Sequence, residues 1–190
     1  MDFLHVIRDI GGSLDRAGVR YALIGGFAMA MRGVQRATVD LDFILMLEDL
    51  DCAHRILRQA GYQRAFHSEN VSHYVASQPG LGRIDLLHAF RGPSLSMLAR
   101  AERLEIAEDV SLPGVRIPVV QVEDIIGLKI QALINDPRRE VGDWQDIRLL
   151  LETAARMGRK LDWELIEDYL ELFGLESEQE RMKGWYGEID

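Results

Sequence analysis

The chain has 190 residues, 47% of them hydrophobic, and a formal net charge of −9, so it can bury a core as one large domain or two small ones. No apolar run approaches the ~20 residues of a membrane span, and Met1-Asp2-Phe3 lacks the basic start of a signal peptide. Cys52 is the single cysteine, which excludes an internal disulfide and a zinc site built on several thiolates, and fits a reducing cytoplasm.

In chain order, Phe3, Ile7, Ile10 and Leu14 recur at helical spacing and predict an amphipathic helix over 2–17, weakened by Gly11-Gly12. Tyr21 to Ile24 reads as a short strand running into Gly25-Gly26, with a helix over Phe27 to Met31. Val39 to Leu47 reads as a strand and Leu50 to Ala60 as a helix stopped by Gly61. Strands follow at His73–Ser77 and Arg83–Ala89. Val110–Leu112 and Val115–Ile117 flank Pro113-Gly114, a pair that favours a type II turn and a hairpin. Beyond Pro118 the pattern is helical, at about 121–134, 139–157, 162–173 and 176–187. The boundary is set near residue 120, giving an α/β core over 1–120 and an acidic helical region over 121–190 that packs on the core or stands apart.

Charge follows the same division. Residues 1–120 hold 14 Asp/Glu against 13 Arg, whereas 121–190 hold 17 Asp/Glu against 9 Lys/Arg. Long nucleic acid is bound through basic groups that displace counterions. A chain with this balance is expected to take a compact partner instead, namely a small molecule, a protein hydroxyl or a single RNA terminus.

The chemistry-bearing stretch is Leu23-Ile24-Gly25-Gly26, thirteen residues, then Asp40-Leu41-Asp42. Alternate strand residues share a face, so Asp40 and Asp42 project together, ~7 Å apart along the backbone. Val39, Leu41 and Phe43 are expected to project the other way, into a core. Two adjacent carboxylates repel unless a cation lies between them. Magnesium suits the place, because it takes a few carboxylates together with substrate phosphate oxygens. Asp85, in Arg83-Ile84-Asp85-Leu86-Leu87, has the same apolar strand context. If its strand lies beside Asp40–Asp42, three carboxylates converge in a manner suited to two-metal chemistry. Gly25-Gly26 permits a tight turn and a close approach of backbone to a phosphate. No Gly-Lys-Ser/Thr follows, so it is not a P-loop.

These residues resemble the nucleotidyltransferase superfamily of the DNA polymerase β type. Its pattern is an apolar residue, Gly-Gly/Ser, a spacer, Asp-apolar-Asp/Glu and a later apolar-Asp-apolar, matched here by Gly25, Gly26, Asp40, Asp42 and Asp85. Arg36-Ala37-Thr38-Val39-Asp40-Leu41-Asp42 is similar to AbiEii-type toxins and related minimal nucleotidyltransferases. The likeness covers roughly residues 20–150. It implies an α/β nucleotidyltransferase fold with a short mixed sheet and a C-terminal helical bundle. It also implies magnesium-dependent transfer of a nucleoside monophosphate from an NTP to a hydroxyl acceptor. Asp40, Asp42 and Asp85 are then the catalytic and metal-binding residues, and Gly25, Gly26, Arg36 and Lys129 contact the nucleotide. The alternatives are a toxin paired with an antitoxin partner and acting on RNA or a translation component, or a non-catalytic nucleotide-binding or interaction module. Many members carry serine where Gly26 stands, so serine is expected to be tolerated there.

Lys129 also has a case from its position alone. It falls on the apolar stripe of Ile125, Ile126 and Leu133, and an unpaired buried ammonium is costly. A triphosphate contact and an ion pair with Asp143 or Asp146 answer that cost equally well.

Overall fold

The computed structural model describes residues 6–78, 80–106 and 114–187. Two compact units result. One comprises Met1–Met31 and Arg36–Val120, the other Arg32–Gln35 and Gln121–Asp190. No helix among the described residues is long and apolar enough to cross a membrane.

The first unit is built on a mixed sheet. Helix α1 opens with a wide π turn at Ile7–Gly11 and continues as Gly12–Arg16. The Tyr21 hydroxyl donates to the Gly11 carbonyl at 3.0 Å within this wide turn. Strand β1 (Tyr21–Ile24) leads directly into α2 (Gly25–Met31), and β2 follows at Asp40–Met46. Helix α3 (Leu50–Gln59) buries Leu50, Ala53 and Leu57, positions on one helical face. Strands β3 (Tyr62–His67), β4 (Val71–Ala76) and β5 (Arg83–Ala89), helix α4 (Gly92–Ala99), and strands β6 (Glu102–Glu105) and β7 (Arg116–Val119) complete the unit.

The seven strands lie in the order β3-β4-β5-β2-β1-β7-β6. The β2/β5 and β1/β7 pairs are parallel, and the others antiparallel. One face carries Leu23, Leu41, Phe43, Ile84, Leu86 and Tyr74, all buried to within about a per cent of full enclosure. That layer is the core of the unit.

The helical unit contains α5 (Val122–Asn135), α6 (Glu140–Arg156), α7 (Trp163–Phe173) and α8 (Gln179–Gly187). Helix α5 buries Val122, Ile125, Ile126, Ile130 and Leu133, a broad apolar stripe that explains why it is enclosed along its length. Asp162 caps α7 by accepting from the Leu165 amide at 3.2 Å.

Several expectations change. Val39 is 75% exposed and lies outside the strand, which begins at Asp40; it has no place in the core. Strands β3 and β6 and helix α4 have weak sequence patterns, since β3 exposes nearly every residue after Tyr62. Val110–Leu112 lies outside the described residues. Strand β7 pairs with Glu102–Glu105, Glu105 standing opposite Arg116.

Candidate active site

One row of paired residues crosses five strands. Ile24 pairs with Asp42, Asp42 with Asp85, Asp85 with His73, and His73 with Phe66. Directly paired residues point to the same side of a sheet. Asp42, Asp85, His73 and Phe66 therefore share the face opposite the buried Leu41–Phe43–Ile84–Leu86 layer. Asp40 and Arg83, paired two positions earlier on β2 and β5, share it too. The strand of Asp85 does lie beside that of Asp40 and Asp42, in parallel register.

Charge on this face is arranged around Arg83. Its Nη2 donates to Asp40 Oδ2 at 2.9 Å and lies 3.0 Å from Asp85 Oδ2. One guanidinium nitrogen thus joins two carboxylates from neighbouring strands. The other oxygen of Asp85, Oδ1, accepts from His73 Nδ1 at 2.8 Å. Asp85 is held from both sides and is the more enclosed of the two, its side chain 13% exposed against 27% for Asp40. Sequence reasoning singled out Arg83 as a residue that meets phosphate or pairs with a carboxylate; the contact found is the carboxylate one. It did not find His73, whose only sequence signal was its place in a strand.

The glycines meet this face at the end of β1. Gly25 has φ +67°, a conformation other residues rarely adopt. A Cβ on it would stand 2.1 Å from Asp42 Oδ2, so the Asp42 carboxylate lies directly against the glycine backbone. A Cβ on Gly26 would stand 2.9 Å from Arg36 Nη1, 2.9 Å from Thr38 Oγ1 and 3.0 Å from Thr38 Cβ. Arg36 can swing away, but Thr38 is β-branched, and its hydroxyl donates to the Asp40 carbonyl at 3.2 Å. Contrary to the expectation from the family pattern, a serine at 26 does not fit without moving Thr38. A threonine hydroxyl already occupies the space beside this glycine.

Among the described residues no three His, Cys, Asp or Glu side chains converge closely enough to hold a metal ion as placed. The donor chemistry nevertheless suits a hard divalent cation, since Asp40, Asp42 and Asp85 are all carboxylates on one face. Two of them already meet at a single cationic nitrogen.

Lys129 is accounted for within the helical unit. Its Nζ donates to Asp143 Oδ1 at 2.9 Å and to Asp146 Oδ2 at 2.5 Å, and Arg139 Nε donates to the second oxygen of Asp143 at 2.9 Å. All three members of the Lys129–Asp143–Asp146 cluster are at least nine-tenths buried. Burial alone would raise the Asp143 carboxyl, but the bonds from Arg139 and Lys129 together hold it below the ordinary carboxylate value. Of the two uses open to Lys129, the ion pair is the contact found.

A glycine turn thus abuts one of two carboxylates on a strand, with a third carboxylate in register on the next. Over residues 3–184 the chain matches the family described as nucleotidyl transferase of unknown function (DUF2204), and it belongs to that family. It is accordingly a nucleotidyltransferase. The fold resembles the antibiotic-resistance factor ANT(2'')-Ia, in solution, with TM-score 0.63, 19% identity and coverage of 96% of this chain and 97% of that one. A crystal structure of ANT(2'')-Ia in complex with adenylyl-2''-tobramycin gives TM-score 0.63 at 16% identity, covering 92% and 98%. An antigenic nucleotidyltransferase-like protein from Paracoccidioides brasiliensis gives 0.51 at 20% identity, covering 77% and 74%. No curated protein matches the chain.

Proposed function

We propose that the protein transfers a nucleoside monophosphate from an NTP to a compact hydroxyl acceptor in a magnesium-dependent reaction on the Asp40–Asp42–Asp85 face. The observation that carries this reading is the pairing of Asp42 with Asp85 in parallel register, with Gly25 against the Asp42 carboxylate. Asp40 and Asp42 would hold magnesium, with Asp85 beside them, and the ion when bound would neutralise phosphate charge and acidify the acceptor hydroxyl. Gly25 and Gly26 bring backbone close to the triphosphate, and Arg36, whose guanidinium reaches Gly26, supplies a positive charge there. Arg83 holds Asp40 and Asp85 together before substrate arrives. Lys129, tied to Asp143 and Asp146, has a structural role in this reading.

The acceptor oxygen attacks the α-phosphorus and forms a new O–P bond. The bond from that phosphorus to the α–β bridging oxygen breaks, and pyrophosphate leaves. The acceptor proton passes to the Asp85 carboxylate and on to solvent. His73 fixes the orientation of that carboxylate from its far side.

A compact acceptor is favoured by charge, since a net −9 opposes a long polyanion. The likeness to ANT(2'')-Ia, whose complex contains adenylyl-2''-tobramycin, supports a small molecule as one such acceptor. Isothermal titration with each NTP, with and without magnesium, tests the reading. Magnesium-dependent binding is expected in the wild type and its loss in Asp40→Asn and Asp42→Asn. Unchanged affinity in both folded variants overturns it.

A further inference from the structure

The row that carries Asp42 and Asp85 does not end at the carboxylates. It continues through His73 on β4 to Phe66 on the edge strand β3. Phe66 reaches this face through an irregularity. Arg64 pairs with Tyr74, but two residues later Phe66 pairs with His73, so the register shifts by one between them. Without that bulge, Phe66 would follow Arg64 to the side of the buried Tyr74. The extra residue turns the phenyl ring onto the carboxylate face. There it stacks on the His73 imidazole, with ring centroids 5.3 Å apart and planes 28° apart. One side of the ring is covered by His73, and the residue remains 50% exposed. A single exposed phenyl ring needs no explanation by itself, but one aimed at the carboxylate face offers its open side for a planar group to cover.

Direction along the row indicates which group that is. In an in-line displacement the leaving and attacking oxygens lie on opposite sides of the phosphorus. Gly25 and Gly26, proposed for the triphosphate, are at the β1 end of the row. The attacking hydroxyl then approaches from the β5–β4–β3 side. Phe66 is two strands beyond Asp85, on the order of 10 Å at ordinary strand spacing. That leaves room for a planar ring to lie on Phe66 while a hydroxyl of the same molecule meets Asp85.

We infer that Phe66 is an acceptor-selecting residue, stacking a planar heterocycle carried by the molecule whose hydroxyl meets Asp85, a nucleoside being the simplest such acceptor. The inference rests on the proposed transfer reaction. Its support is the bulge that re-aims the ring, the stack on the histidine bound to Asp85, and the in-line order of the row. Because Phe66 is half exposed, its replacement leaves the core intact.

The test uses the full chain with NTP and magnesium, following pyrophosphate release with adenosine, tobramycin or glycerol as acceptor. Adenosine binding is measured separately by saturation-transfer NMR. Adenosine is expected to bind and to accelerate release. Phe66→Ala should raise its KM by about tenfold to a hundredfold, the scale of one lost base–aromatic stack. The KM for NTP, whose proposed contacts lie at the β1 end of the row, should stay unchanged, and Phe66→Tyr should restore the adenosine KM. Absence of adenosine binding, an adenosine KM indifferent to Phe66→Ala, or acceleration by tobramycin or glycerol equal to that by adenosine would each overturn the inference while leaving transfer intact. Absence of magnesium-dependent NTP binding would instead remove the reaction itself, and this inference with it.

Discussion

Asp42 and Asp85 are direct partners across the parallel β2/β5 pair, on the sheet face away from the core. Like charges so placed repel one another without a bound cation, and Arg83 offsets this for Asp40 and Asp85. Asp42→Asn is therefore expected to leave the melting temperature unchanged or slightly higher. Magnesium-dependent NTP affinity should fall by at least about tenfold, as one coordinating charge is lost. Thermal melting and titration calorimetry on the same sample check both halves.

In the proposed reaction Arg83, bonded to Asp40 and Asp85, would compete with the metal for them. Arg83→Gln should therefore bind magnesium alone more tightly than the wild type does, by a few-fold. Its guanidinium is about half exposed, so the loss of stability without magnesium should be small, at most about 1 kcal/mol. Weaker magnesium binding in the variant would mean that Arg83 positions the carboxylates for the metal instead of competing with it.

Gly26→Ser is expected to lower stability by about 1–3 kcal/mol, the usual cost of forcing an extra group against packed atoms. The added Cβ meets the Thr38 side chain. Gly26→Ser combined with Thr38→Ala should recover part of the loss, since Thr38 Oγ1 is removed while its Cβ, 3.0 Å away, remains, as measured by urea denaturation. Failure of the double variant to recover would place the conflict elsewhere in the turn.

Lys129→Met should destabilise the protein by about 3–5 kcal/mol, because it leaves Asp143 and Asp146 buried without their shared cation. At a temperature where the variant remains folded, NTP affinity should be unchanged. A selective loss of nucleotide binding with normal stability would return Lys129 to the nucleotide-contacting set.

Stability should also depend on mildly acidic pH. His88 is 3% exposed, donates from Nδ1 to the Glu69 carbonyl at 2.8 Å, and has Nε2 3.0 Å from the Ser72 hydroxyl. Burial lowers its pKa against the opposing bond to the Glu69 carbonyl, with a further push from His67 and Arg64, and burial with Arg64 and Arg58 lowers that of His54. Groups whose folded pKa lies below the unfolded value near 6.5 bind more protons when unfolded. Stability is then kept above pH ~6.5 and lost as pH falls toward the depressed folded values, by at most about 1.4 kcal/mol per pH unit for each histidine. Denaturation midpoints at pH 7.5 and 5.5 should differ in the wild type and differ less in His88→Asn.

The sequence by itself determined the carboxylate strand, the glycine turn and the helical character of residues beyond 120. Local rules suffice for these: period-two alternation at Asp40–Asp42, turn chemistry at Gly25-Gly26, and the apolar stripe of α5. The neighbouring strand of Asp85 was visible as a pattern, but its register with Asp42 was not, because parallel pairing joins residues across a long crossover. Tertiary structure alone decided that Arg83 bridges two carboxylates, that Thr38 fills the space beside Gly26, and that Lys129 meets both aspartates. It also brought His73 and Phe66 into the row. His73 depends on antiparallel register, and Phe66 on a one-residue bulge in an exposed edge strand that carries almost no hydrophobic pattern. A single inserted residue reverses which face a side chain takes, and only the partner strand reveals where that insertion falls.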